Sequence, residues 1–361
     1  MNYIGSKFSL LPFLDECISE IIGGDKKNNK VFCDLFSGTA AVGKFFKKKG
    51  FTVIANDLQY YSYVLSKQYI ANHKPLLFNG IKEELNNKNY IIDSNIVEIV
   101  CEYLSSIEGE KGFVYESFCK GDRNDGDEYR LYFTDENGAK CDAIRNKIEQ
   151  WYKLNKINDS EYYFLLATLI ENIDKVANTA SVYGAFLKKI KSSAQKSLIM
   201  KPAEMIYNDQ EHYVYNEDAN ELIRRIKTDI LYLDPPYNQR QYSANYHVLE
   251  TIARYDNPIL KGKTGMRDYS NQKSKYSIKR EVKKTFEDLI MNADAKYIFL
   301  SYNNEGLMSF EEIREIMSKR GEYGCFEKEY NRFKADNESE NRHIKTNKTT
   351  EYLHYVICKN Y

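Results

Sequence analysis

The sequence predicts an α/β fold, an open and mostly parallel sheet interrupted by a long, mostly helical insertion. Three observations predict it. Across residues 31–57 a buried strand, a glycine turn, a helix and a second strand ending in an acid follow one another. Residues 76 to about 201 instead carry helical spacing. Strand-like apolar runs return only after residue 205.

Each element follows from local signals. Leu10 to Ile22 has helical apolar spacing, with Pro12 in its first turn and Gly23-Gly24 ending it. Val31 to Phe36 is a short apolar run closed by Ser37-Gly38, the pattern of a buried strand. Val42 to Lys49 reads as a helix stopped by Gly50, and Phe51 to Ala55 as a strand ending in Asn56-Asp57. This order opens a Rossmann-like sheet. Tyr60 to Asn72 continues as a helix. After the insertion, Asn216 to Ile226 reads as a loop entering a helix, with strands at Asp229–Leu233 and Lys296–Leu300. Phe310 to Arg320 reads as a helix, and 326–333 with 351–358 as a late antiparallel pair. Pro75 and Pro202 bracket the insertion, so the expected organisation is a sheet domain of residues 1–75 and 203–361 around an inserted domain of 76–202. A gap this long needs structure of its own, and a hairpin of Phe113–Phe118 with Tyr129–Thr134 is expected within it. Gly121–Asp127 and Ala335–Thr350 read as polar, mobile segments.

Composition narrows the function classes. Lys plus Arg and Asp plus Glu both number 52 in 361 residues, so nucleic-acid affinity must come from local patches. Two such patches exist. Five lysines and no acid lie between Ala185 and Ala203, and nine basic residues against two acids lie between Pro258 and Lys284. The seven cysteines are scattered without a CxxC pair, which speaks against zinc and for reduced thiols in a cytoplasmic protein. No apolar run approaches the length of a membrane span, and no membrane partner is expected. Asp122 to Glu128 has a calcium-loop flavour, but Gly126 occupies the third ligand position, and no metal is expected.

The sharpest motif is Asp234-Pro235-Pro236-Tyr237, directly after the strand at 229–233. Ligands of open α/β sheets gather at the carboxyl ends of strands. Two prolines fix the backbone there and remove two N–H donors, leaving carbonyls and the Asp234 carboxylate as acceptors around one point. An exocyclic amine offers two N–H donors to such an arrangement, and Tyr237 offers a flat face for a base. The bland reading is a strand-ending turn that happens to contain two prolines. The second motif is Asp34-Leu-Phe36-Ser-Gly38-Thr-Ala-Ala-Val-Gly43, where small residues let backbone and a helix N-terminus approach a ligand. Alone it also suits nicotinamide or flavin enzymes. Asp57, about twenty residues on, can accept both hydroxyls of a ribose or cap a helix. Tyr3-Ile-Gly-Ser-Lys7 is a third, shorter motif. Asn238, Arg240 and Tyr242 lie in an unusually polar exit from the motif strand. With the basic stretch 261–284 they read as a loop closing over nucleic acid, or as a solvated lysine-rich loop. His247 reads as a packing or helix-start residue.

Together these residues resemble the Dam-like class of DNA adenine-N6 methyltransferases, the D12 class, alpha group, whose cofactor motifs precede the proline motif. The resemblance covers nearly the whole chain. It implies a Rossmann-like methyltransferase fold with an inserted, mostly helical target-recognition domain, and S-adenosylmethionine as cofactor. Tyr3 and Lys7 match the N-terminal cofactor motif, and Asp34, Phe36 and Gly38 the glycine loop. Ala40 departs from that loop, where glycine is usual, and should fit if its φ is negative. Asp57 matches the ribose-binding acid. Asp218 matches the acid that meets the cofactor's adenine, with a helix N-cap as an equal alternative. Asp234 to Tyr237 match the catalytic motif, with Asp234 also at the cofactor. Ser301 and Tyr302 match the strand end that walls the base pocket, and Tyr330-Asn331-Arg332-Phe333 the start of a terminal hairpin.

Tyr132–Gly138, Asp142–Arg145 and Ala177–Lys188 resemble the recognition region of a branch that serves type II restriction systems. That implies double-stranded DNA as partner and a protective role beside a cognate restriction endonuclease. Lys188 and Lys189, in the acid-free run, suit phosphates. The competing readings are a methyltransferase acting on RNA, on a protein glutamine or on cytosine N4, and a catalytically silent DNA-binding protein.

Overall fold

The computed structural model describes residues 3–23, 30–88, 90, 95–124, 128–331 and 348–359. Arg332 and Phe333, and parts of the two segments read as mobile, lie outside them.

Backbone contacts divide the chain into two compact units. One comprises residues 4–66, 210–242 and 270–361, and the other 1–3, 67–209 and 243–269. The sequence boundaries at 75 and 203 lie a few residues inside these, and the sequence offered no sign that 243–269 groups with the helices.

The first unit is a mixed α/β unit on a seven-stranded sheet. Its strands are β1 (Val31–Asp34), β2 (Thr52–Asn56), β3 (Tyr213–Tyr215), β4 (Lys227–Leu233), β5 (Asp294–Asn303), β6 (Gly321–Asn331) and β7 (Lys348–Cys358), in the order β3-β2-β1-β4-β5-β7-β6. The first five run parallel, while β7 is antiparallel to both β5 and β6. Chain order runs outward one way from β1 and the other way from β4, so the carboxyl ends of those two strands flank the switch point where open sheets bind ligands.

Alternation along the strands builds two cores. On one face Cys33, Leu231, Leu233, Ile298 and Leu300 pack with Phe286, Leu289, Ile313 and Ile316. On the other, Phe32 stacks on Phe46 at 4.0 Å between ring centroids and lies 6.2 Å from Tyr232. Helix α1 (Leu11–Ile22) carries Pro12 at its start, α2 (Ala41–Lys48) follows β1, and α3 (Tyr60–Ser66) follows β2. The single helix expected over 60–72 becomes a π-helix at Lys67–Ala71, where the first unit ends.

The second unit is mainly helical. Helices Asp135–Lys153 and Asp159–Lys175 pack together, the latter started by an Asn158–Glu161 capping box. The expected hairpin is absent: Phe113–Phe118 is a helix, and Tyr129–Thr134 forms no strand. The reason is tertiary. Buried Asp142 accepts the N–H groups of Gly112, Val114 and Tyr115, satisfying that helix's first turn from 28 positions along the chain. Nor is 261–284 one loop. It is a turn bridged between Lys261 and Met266 in the helical unit, then two 3-10 turns and the start of helix Val282–Asn292 in the sheet unit. No helix among the described residues is long and apolar enough to cross a membrane.

Candidate active site

The carboxyl ends of β1, β2 and β4 bring the predicted acids to one edge of the sheet. Asp34, the last residue of β1, is 2% exposed and accepts the Gly43 N–H at 2.9 Å. Burial raises its pKa, the Gly43 bond opposes, and nearby Asp234 and Asp57 add to the rise, which reaches about 7. Asp57 follows β2, and each of its oxygens takes a backbone N–H: Gly38 at 2.8 Å and Gln59 at 2.9 Å. It therefore pins the turn after β1 to the end of β2, whatever else it binds. Ala40 sits in that turn with φ +60°, in the left-handed region, so the condition set for its easy fit, a negative φ, is not met. The turn closes through Ala40 N–H to the Ser37 carbonyl at 2.6 Å, and the left-handed step starts α2. Phe36 stands edge-on to Tyr276, with ring centroids 5.1 Å apart.

Asp234 follows β4 directly and meets Lys7, whose Nζ lies 3.1 Å from Asp234 Oδ1 and 2.9 Å from Glu351 Oε1. Lys7 is 4% and Glu351 0% exposed. Burial alone lowers the Lys7 pKa, but Asp234 and Glu351 together drive it well above the ordinary lysine value. Burial raises the Asp234 carboxyl, Lys7 pulls it back and Glu351 pushes it up again, leaving it near 6. The Lys7 ammonium also lies 5.7 Å from the centroid of the Tyr237 ring. Tyr237 is set by its carbonyl, which accepts the Leu307 N–H at 3.0 Å, and by an edge contact with Tyr302 at 6.2 Å. Tyr302 is buried, its hydroxyl accepts the Met308 N–H, and the Ser301 and Tyr232 hydroxyls bond at 2.8 Å. Of the residues named from sequence, the structure brings Lys7, Asp34, Asp234, Tyr237, Ser301 and Tyr302 to this end of the sheet.

The decisive comparison is with known families. The model of the D12 class N6 adenine-specific DNA methyltransferases matches residues 3–316. The chain belongs to that family. Among curated relatives, the type II methyltransferase M.NlaIII of Neisseria lactamica is 51% identical over 356 residues, covering 99% of both chains. M.FokI of Planomicrobium okeanokoites is 38% identical over 99% of this chain but only 52% of its own length. M.CviAII of Paramecium bursaria Chlorella virus 1 is 34% identical over 99% of both.

Other expected site residues of this methyltransferase are less converged. Asp218 is exposed and caps helix Ala219–Leu222, its Oδ1 accepting the Asn220 and Glu221 N–H groups. Asn238 accepts the Arg240 N–H, and Arg240 is exposed. The Tyr242 hydroxyl donates to the Ile4 carbonyl at 3.2 Å, tying the segment before Lys7 in place. Gly5 there has φ +76°, and a Cβ would lie 2.8 Å from that hydroxyl. Tyr3 belongs to the helical unit, where its buried ring stacks on Tyr246 at 4.7 Å. Lys188 and Lys189 are exposed there. Asp142 and Arg145, in a stretch likened to a recognition region, are buried in that unit's own network. Arg145 donates to the Ile252 and Ala253 carbonyls and the Tyr162 hydroxyl. His247 is buried at a helix start, both ring nitrogens bonded to carbonyls.

Sequence reasoning missed two residues. Asn56 is buried and joins the ends of three strands, donating to the Leu35 and Glu217 carbonyls and accepting the Glu217 N–H. Glu351 is the other. Its signal was a charged residue in phase with Leu353 on a strand, where one face is apolar.

Proposed function

We propose that this methyltransferase moves the methyl group of S-adenosylmethionine to N6 of an adenine flipped out of double-stranded DNA, at one target sequence. The observation that carries the reading is the Asp234 carboxylate at the switch point of the sheet, held by buried Lys7 with the Tyr237 ring alongside. The sheet unit is read as a Rossmann-like methyltransferase fold and the helical unit as the inserted target-recognition domain, carrying Lys188 and Lys189 to phosphates. Relatives named as type II methyltransferases support a protective role beside a cognate endonuclease in the cytoplasm.

The residues present suit the cofactor. Asp234 and Glu351 share one ammonium and Asp34 lies near Asp234, a surplus of acid that favours a cationic group. Asp57 and the turn it pins would hold the ribose, Asp218 the adenine ring, and Lys7, Phe36 and Gly38 the remainder. When bound, the cofactor supplies an electrophilic methyl on a sulfonium.

The chain's own residues do the rest. Flipping costs a few kcal/mol, offset by stacking of the base on Tyr237 beside Tyr302. Asp234 and the Pro235 carbonyl accept the two amine hydrogens and aim the nitrogen lone pair. The charge-assisted bond, about 1.5–3 kcal/mol, strengthens as the nitrogen turns positive, so it favours the transition state over the bound substrate. As the nitrogen takes the methyl that the cofactor would supply, Asp234 would accept the surplus amine proton and pass it to solvent. Tyr237, Asn238, Arg240 and Tyr242 would line the path of the extruded nucleotide.

Expression in methylation-free cells followed by long-read mapping of their DNA should reveal N6-methyladenine at a single recurring sequence. DNA without it, together with methyl transfer to RNA by the purified chain, would overturn this reading in favour of an RNA enzyme.

A further inference from the structure

We propose that Glu351 is a positioning residue of the methyl-transfer reaction, which shares the Lys7 ammonium with Asp234 and so leaves the Asp234 carboxylate incompletely paired, a stronger acceptor open to the amine. The inference rests on the reading of Asp234 given above and assigns a role to a residue outside every motif that led to it.

Three observations carry it. First, topology delivers Glu351: β7 runs antiparallel to β5, so the start of β7 meets the end of β5, and Glu351 pairs with Asn303 at the sheet's carboxyl edge. Second, Glu351 is wholly buried, and neither of its carboxylate oxygens receives a hydrogen bond among the described residues. The ion pair with Lys7 at 2.9 Å is what offsets its burial. Third, the ammonium is shared, at 3.1 Å from Asp234 Oδ1 and 2.9 Å from Glu351 Oε1. A lysine paired with Asp234 alone would neutralise the acceptor on which the amine depends. With two carboxylates on one ammonium, the group of three keeps one net negative charge.

The prediction concerns pH. The ionisable groups facing Asp234 are Lys7 from the N-terminal segment, Glu351 from β7, Asp34 from β1, and Tyr232 and Tyr237 from β4 and its exit. Asp234 is an acid whose ionised form is the active one, so activity falls on the acid side as it protonates. Removing the Glu351 charge favours the ionised form, so the acid limb must move to lower pH. Removing the Lys7 charge must move it to higher pH.

The test is the pH profile of kcat on duplex DNA for the wild type, Glu351→Gln, Glu351→Asp, Lys7→Met and the double variant Lys7→Met/Glu351→Gln. Glu351→Gln should shift the acid limb down by about one pH unit and reduce kcat about tenfold. Glu351→Asp should keep the wild-type limb. The double variant should return toward wild type from the raised limb of Lys7→Met. A Glu351→Gln limb at the wild-type position, with or without lower kcat, overturns the proposal, since a merely structural loss leaves the limb in place. Should Glu351→Gln fail to fold, a double variant whose limb stays with Lys7→Met overturns it equally. A wild-type chain that transfers no methyl to DNA sinks the reading of Asp234 and this inference with it; an active wild type with unmoved limbs sinks this inference alone.

Discussion

Asp57 and Asp234 stand at the ends of two strands of one sheet, and their surroundings differ in kind. Asp57 is half-buried, and each oxygen takes a backbone N–H, from Gly38 and from Gln59. Asp234 is held by a side-chain ion pair, and burial raises its pKa toward 6. Backbone donors fix a carboxylate as part of the framework and stabilise its charge in place. A shared lysine under burial leaves the carboxylate high in energy and responsive to what arrives. On the proposed reading, the difference separates an acid that shapes the site from an acid that acts in it.

The largest effect that can break this comparison is on rate. Asp234→Ala should lower methyl incorporation into DNA by about a thousandfold while leaving retention of DNA on filters largely intact. It should not lower the melting temperature much, because Lys7 keeps Glu351 as its partner. Near-normal incorporation would remove Asp234 from the chemistry. Asp57→Ala should do the reverse in emphasis. It strips acceptors from two N–H groups and should cost about 2 kcal/mol in denaturant unfolding, along with weaker cofactor binding by calorimetry. An Asp57→Ala chain as stable as wild type would mean that the turn holds itself, and the contrast with Asp234 would fail.

The same contrast explains what could be read from the sequence. Asp34, Asp57 and Asp234 were visible because each ends a buried apolar run, and a polar residue there has few uses besides a ligand or a cap. The central strands were legible for the same reason, Val31–Cys33 of β1 and Ile230–Leu233 of β4 being unbroken apolar runs. Glu351 was hidden because its partner lies at the other end of the chain, and its phase with Leu353 alone does not say what it meets. Phe113–Phe118 was misread because six mostly apolar residues fit strand or helix equally, and the choice is made by Asp142 on another helix. Local pattern reports burial well. It reports poorly on bonds whose two halves are distant in sequence.

The smallest effect concerns the turn that Asp57 pins. Ala40 is fully buried at φ +60° and ψ 20°, where its Cβ crowds the backbone. That conformation costs an L-residue about 1–2 kcal/mol relative to the right-handed region. Glycine avoids the clash but loses about 0.4–1 kcal/mol through greater freedom in the unfolded chain. Ala40→Gly should therefore stabilise the protein by roughly 0.5–1 kcal/mol, a shift of a degree or two in melting temperature. Ala40→Val should destabilise it more than Ala40→Gly helps, because a β-branched residue is worse placed at positive φ. The pair sharpens the comparison because the strain depends on Asp57 holding Gly38. In the Asp57→Ala background the turn is free to relax, and the benefit of Ala40→Gly should shrink. Full additivity in that double-mutant cycle would show the turn to be rigid without its carboxylate.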